Sequence, residues 1–237
     1  MLHRFSREEL LIGVEGLRKL QAARVAVFGV GGVGGYVVEA LARSGIGALD
    51  LFDGDTVSLT NINRQIIALE GTVGRPKVEV AKERVLQINP QCRVEARNLF
   101  FTPENAGEVD FSQYDYVADA IDTVTSKIEL LRLCREAGVK VISSMGAGNK
   151  FDANAFRVAP VEKTRVCPLA RLVRKGLRDA NVTGVWAVYS EEEPRRPARG
   201  DAAEGERFIG SLSYVPASAG LLLAGHIIRQ IAQGARP

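Results

Sequence analysis

Residues 24–43 read RVAVFGVGGVGGYVVEALAR, and the fold follows from this stretch. An apolar run over 24–29 has strand character and stops at glycines. Gly29-Val30-Gly31-Gly32-Val33-Gly34 is a GxGxxG turn, and an apolar helical run over 37–42 follows at once. Glycines there permit a tight turn and let backbone N–H groups approach a phosphate at the helix N-terminus. A second strand over 49–53 ends in Asp53, about 20 residues on, where an acid commonly takes ribose hydroxyls. Strand, glycine turn, helix and acid-ended strand together predict a nucleotide site. The glycine motif by itself favours NAD.

Working outward, further strands are expected over 93–99, 114–121 and 139–143, with helices over 78–88 and 126–137. Alternation of this kind predicts an α/β fold: a Rossmann-like, doubly wound, mainly parallel sheet with ligands at the C-terminal strand ends. Beyond Gly148 the pattern loosens. Strands are expected over 156–160, 185–189 and 212–215, and a helix over 169–177 with Pro168 near its start. A soft boundary is placed near residue 150. Residues 1–150 are expected to form a nucleotide-binding domain with an N-terminal helical arm. Residues 151–237 are expected to complete the sheet and supply a substrate or dimer surface. The stretch 190–207 (SEEEPRRPARGDAAEGER carries almost no large apolar residue) reads as a mobile surface loop.

The chain has 237 residues, 46% hydrophobic and 25% charged, with a formal net charge of +3. That length supports one large core without staples. The charge is too small to indicate a nucleic-acid partner by itself. Cys92, Cys134 and Cys167 are far apart and form no CxxC pair, so neither structural zinc nor a disulfide framework is expected and a cytoplasmic location fits. The N-terminal MLHRFSREELL carries Glu8 and Glu9 and no apolar run, so no signal peptide is expected. Residues 217–228, ASAGLLLAGHII, fall short of the roughly 20 residues that span a bilayer. They read as a buried helix, with peripheral membrane contact as the alternative.

Cations follow the second strand. Asp55 lies in DGDTV, Asn61, Arg64 and Gln65 in NINRQ, and Arg75 and Lys77 in GRPK. Attack on a nucleoside triphosphate needs Arg, Lys and a metal to hold a pentavalent phosphorus and a departing polyphosphate. Asp122 ends the 114–121 strand and is a natural Mg²⁺ ligand. Hydride transfer to a nicotinamide needs no such cluster.

GVGGVGG, FDGDTVSLTNINRQ, VGRPKVEVA and DAIDTVTSK resemble the corresponding blocks of the ubiquitin-activating-enzyme-like (ThiF-type) adenylating family, in order and spacing over roughly residues 1–150. The resemblance implies ATP and Mg²⁺ as cofactors. Asp53 would bind the ribose; Asn61, Arg64 and Gln65 would hold phosphates; Lys77 would stabilise the transition state; Asp122 would coordinate magnesium. Arg7 would reach the partner subunit's ATP site, which implies a homodimer. Residues 144–148, 167–177, 188–191 and 210–216 extend the likeness to the branch acting on threonylcarbamoyladenosine in tRNA. That branch adenylates the nucleoside's carboxylate and cyclises it with loss of water. Cys167 departs from it, because relatives commonly carry an acid there.

A tRNA surface is expected along Arg171, Arg174, Lys175 and Arg178, which recur at helical spacing beside Lys163 and Arg165, with Arg195, Arg196 and Arg199 as a second cluster. Three other readings stay open here: adenylation of a ubiquitin-like sulfur-carrier protein (with a sulfur-transfer partner), an NAD-dependent oxidoreductase, and a non-catalytic nucleotide-binding module.

Overall fold

The computed structural model of the chain describes residues 2–196 and 209–234. Its centre is β1 (Arg24–Phe28), in which Val25 to Phe28 are fully buried. An apolar run with no polar alternation must be covered on both faces, and it is. β1 pairs in parallel with β2 (Ala48–Phe52) on one side and with β4 (Tyr116–Asp119) on the other. β3 (Arg93–Arg97), β5 (Lys140–Ser144), β6 (Phe156–Pro160) and β7 (Trp186–Ser190) complete a seven-stranded sheet in the order β3-β2-β1-β4-β5-β7-β6. All pairings are parallel except β6 against β7. The chain winds outward from β1 through β3 and returns to β4. The strand order therefore reverses between β1 and β4, and a crevice opens at their C-terminal ends.

Helices cover both faces. Leu20 of α1 (Ser6–Ala22), Val37 and Leu41 of α2 (Gly34–Arg43), Val78 of α3 (Lys77–Ile88) and Leu223 of α6 (Tyr214–Gln233) are buried in one core. Leu130 and Leu131 of α4 (Val124–Glu136) and Val173 and Leu177 of α5 (Pro168–Asp179) are buried in the other. That second core is built on aromatic rings: Phe28 stacks on Phe52 at 4.2 Å between centroids and meets Phe101 edge-on at 5.2 Å. Asp50 sits within the fully buried β2 and is satisfied there by the Arg24 guanidinium (3.0 and 2.8 Å) and the Tyr114 hydroxyl (2.9 Å).

Two expectations change. Residues 212–215 are not a strand, because α6 already begins at Tyr214. Pro216 is what masked this. In the first turn of a helix its missing N–H breaks no bond, so the helix runs through it. α6 is also longer than its apolar stretch suggests. Among the described residues it is the one helix long and apolar enough to cross a membrane, yet 56% of that window is buried inside the fold. His226 is among the buried residues, its ring 5.4 Å from that of Trp186 and 6.2 Å from that of Tyr116. Of the expected 190–207 loop, Ser190 closes β7, while residues 197–207, Arg199 included, lie outside the described residues.

Candidate active site

The glycine turn is held by contacts that leave no room for side chains. Gly29 has φ +85°, and a Cβ on it would stand 2.7 Å from the Ala120 carbonyl oxygen. A Cβ on Gly34 would stand 1.7 Å from the Gly29 carbonyl oxygen. These two glycines let β1, α2 and the end of β4 meet. Gly31 and Gly32, between them, line the cleft. Asp53 secures the turn from the neighbouring strand: its carboxylate accepts the Val30 N–H at 2.7 Å and the Asp55 N–H at 2.9 Å.

A cleft of about 1270 Å³ opens over this turn, at the strand ends where the order reverses. It brings together Asp53, Asp55, Asn61, Arg64, Gln65 and Lys77, and Asp122 lines it as well. Lys77 is the first residue of α3 and is buried. Its ammonium lies 2.6 Å from Asp55 Oδ2 and 4.0 Å from Asp53 Oδ1. Arg64 folds back on its own loop, donating to the Thr60 carbonyl at 2.9 Å and to Asn63 Oδ1 at 3.0 Å. Asn61 Oδ1 accepts the Ser58 N–H at 3.1 Å, which shapes that loop. Gln65 Oε1 is buried and has no hydrogen-bond partner. A buried amide oxygen left unpaired at the cleft wall is a group that a bound molecule can satisfy.

Asp122 is exposed on the loop between β4 and α4. Among the described residues no three His, Cys, Asp or Glu side chains gather to hold a metal. One cleft carboxylate nevertheless suits Mg²⁺, which takes one or two carboxylates and draws its other ligands from phosphate oxygens and water.

Other expected residues stand apart. Arg7, in the first turn of α1, is exposed and does not line the cleft of its own chain. Arg75 also lies outside the cleft, paired with Glu83 at 2.5 Å. On α5, Ala170, Val173 and Leu177 are buried, and Arg171, Lys175 and Arg178 are exposed on the opposite side. Arg174 is turned inward and donates to the Thr164 carbonyl (2.6 Å) and hydroxyl (2.7 Å), so it does not belong to that exposed cationic face, on which Arg178 lies 3.9 Å from Asp179. Arg165 is paired with Glu191 at 2.7 Å. Neither histidine lines the cleft. Burial pushes the Cys92 thiol up to about 12 and raises that of Cys134, so neither serves as a nucleophile. Cys167 is buried and lines the cleft.

Sequence reasoning missed the polar unit beneath the floor. Lys127 and Asp119 are both fully buried and 2.7 Å apart. Lys127 also donates to Ser143 Oγ (3.2 Å) and to the Ser144 carbonyl (3.0 Å), and Asp119 accepts the Ser143 hydroxyl (2.6 Å) and the Ile121 N–H (3.0 Å). The unit ties the end of β4, which leads to Asp122, to the end of β5, which leads into the glycine-containing loop at 146–148. A signal was present. Lys127, Leu130, Leu131 and Cys134 share one stripe at i, i+3, i+4 and i+7, and a lysine on a buried stripe requires a buried acid.

Set beside known proteins, the chain matches the ThiF family over residues 5–237. The chain belongs to the ThiF family. Within that family it is 44% identical to the tRNA threonylcarbamoyladenosine dehydratase of Bacillus subtilis, covering 98% of this chain and 95% of the relative. A crystal structure of the Escherichia coli tRNA N6-threonylcarbamoyladenosine dehydratase in complex with ATP superposes with a TM-score of 0.86 at 36% identity, over 96% of this chain and 93% of that one. The AMP complex of the same Escherichia coli protein gives 0.89 at 37%, over 99% and 96%. The seven-stranded, mostly parallel sheet is thus the fold of this ThiF branch. The likeness runs through both halves of the chain, the later strands and α5 included.

Proposed function

We propose that this ThiF-family chain is an ATP-dependent dehydratase. It adenylates the carboxylate of N6-threonylcarbamoyladenosine in tRNA and cyclises it with loss of water, releasing AMP and pyrophosphate. The observation that carries this reading is the continuity of the cleft with the likeness. The loop after β5 and the start of α5 line the same cleft as the glycine turn, and the near-full-length similarity to dehydratases spans both.

The chemistry follows from the residues. A carboxylate is already ionised at neutral pH, so attack on the α-phosphorus needs no strong general base. That suits a cleft without histidine. What the step needs is positive charge where the polyphosphate leaves. Lys77 and Arg64 supply it. Lys77 is paired with the Asp55 carboxylate, and Arg64 is held only by neutral acceptors, the Thr60 carbonyl and Asn63 Oδ1, so its charge is unspent. Each exchanges those partners for phosphate oxygens. Asp53 keeps lone pairs free for ribose hydroxyls while it holds the turn. Asp122 would hold Mg²⁺, which when bound neutralises phosphate charge. Ring closure by the adjacent carbamoyl group is intramolecular, so orientation within the cleft drives it.

Two surfaces complete the reading. Arg7 acts on a second copy of the chain as an arginine finger, which makes the enzyme a homodimer with composite sites. Leu10, Leu11 and Val14, exposed along α1 beside it, support an interface there. Arg171, Lys175 and Arg178 offer α5 to tRNA phosphates. The three free, buried cysteines suit the cytoplasm.

The test is mass spectrometry of nucleosides from modified tRNA after incubation with the protein, ATP and Mg²⁺. A product lighter by one water is expected. Pyrophosphate release driven by a ubiquitin-like sulfur-carrier protein and not by modified tRNA would replace this reading with the carrier-activating one.

A further inference from the structure

Lys150 follows the glycine-containing loop after β5. It is 2% exposed, yet it lines the cleft. Across the sheet, β5 stands two strands from β1, roughly 10 Å away at ordinary strand spacing. Lys150 therefore marks the end of the cleft beyond the nucleotide turn, beside Cys167 and Pro168 at the start of α5.

Its surroundings are built to present it. Its ammonium donates to the backbone carbonyl of Glu192, just past β7. The Glu192 carboxylate is committed elsewhere: it accepts the N–H groups of Phe151 (2.9 and 3.0 Å) and Asp152 (2.8 Å) and lies 3.4 Å from Arg195 Nε. Glu192 thus clasps the backbone just after Lys150 and holds that side chain in place. Among the described residues no carboxylate forms an ion pair with Lys150. The other buried lysines, Lys77 and Lys127, each have one. A buried ammonium without a counter-charge is costly to fold around. Burial pulls its pKa below the usual lysine range, and among the described residues Cys167 and Glu192 oppose that shift.

We infer that Lys150 is the acceptor-side anion site of the cleft, receiving the carboxylate of the incoming substrate and placing it for attack on the nucleotide. This rests on the functional reading above and adds the residue that selects an acid at that position. Lys77 and Arg64 handle the leaving polyphosphate, and Lys150 handles the nucleophile.

The full-length protein is loaded with a non-hydrolysable ATP analogue and titrated with two RNA hairpins. One carries threonylcarbamoyladenosine and the other its carboxamide counterpart, which differs only in lacking the charge. The wild type is expected to prefer the acid by about tenfold or more, the worth of one charge-assisted hydrogen bond. Lys150→Gln retains a donor for the Glu192 carbonyl but no charge. It is expected to bring the preference close to unity while affinity for the ATP analogue and for the carboxamide hairpin stays unchanged. Lys150→Arg is expected to keep most of the preference. A preference unchanged in Lys150→Gln, equal weakening of both hairpins, or a wild type that does not distinguish them overturns this role. Absence of any cyclised nucleoside in the mass-spectrometric test is a separate result, and that one removes the functional reading itself.

Discussion

Lys127 and Asp119 form a fully buried ion pair, 2.7 Å from nitrogen to oxygen, that joins the ends of β4 and β5 beneath the cleft. Every remaining polar atom around it is satisfied by Ser143, Ser144 or the Ile121 N–H. Breaking such a pair from one side strands a charge in the core. Lys127→Met is expected to cost about 3–5 kcal/mol in denaturant unfolding. Adding Asp119→Asn should restore much of that stability, because the stranded charge is then gone. A double variant no more stable than the single one would show that the pair is not what holds the two strand ends.

Lys77→Ala and Arg64→Ala each remove a cation placed for the departing polyphosphate. Each is expected to slow pyrophosphate release by roughly 10²–10³. The fold should hold, because Lys77 begins a helix and Arg64 lies on a loop. The check is single-turnover release of pyrophosphate alongside thermal melting. Unchanged turnover in both variants would place the triphosphate elsewhere.

Arg7 is exposed and outside the cleft of its own chain, so its effect is expected across a dimer. Arg7→Ala should be nearly inactive alone. Mixed with Lys77→Ala, it should regain activity, because a heterodimer carries one site with both cations intact. Inactive mixtures of subunits shown to exchange would argue against a composite site.

His226 gives the fold a pH dependence. Burial, with Arg229 adding to it, lowers its pKa from 6.5 to about 4, and its Nε2 is buried without a partner. The unfolded chain therefore binds the proton more readily than the folded one between about pH 6.5 and 4. Stability is complete above that window and is lost as pH falls through it, by on the order of 2–3 kcal/mol from this group. Unfolding free energies measured from pH 7 to pH 4 should show the decline, and His226→Leu should flatten it.

Much of this fold is legible in the sequence. The strand–glycine–helix–acid run from Arg24 to Asp53 determines its local structure through short-range sterics and the need of an apolar run to be covered on both faces. The order of Asp53, Arg64, Lys77 and Asp122 along the chain favours an adenylating site over a nicotinamide site, and the fold gathers all four in one cleft. These signals are local in sequence or periodic, and the physics behind them acts over a few residues. The strand expected at 212–215 failed for the same reason. Pro216 is a local breaker only inside a helix, and what made its position the first turn of α6 was the packing of the whole helix on α1, α2 and the sheet.

Only the tertiary structure decided which charges are free and which are already spent. Arg75, Arg165 and Arg174 look like their neighbours in the sequence, yet each is committed to a partner, while Lys150 is buried at the cleft with no ion pair to a carboxylate among the described residues. An ammonium's value to a reaction depends on what lies within a few ångströms of it. Glu83 and Thr164 lie within about a dozen residues of Arg75 and Arg174, but Glu191 and the Glu192 carbonyl, which meet Arg165 and Lys150, lie just past β7, 26 and 42 residues along the chain, and reach them only when the sheet forms.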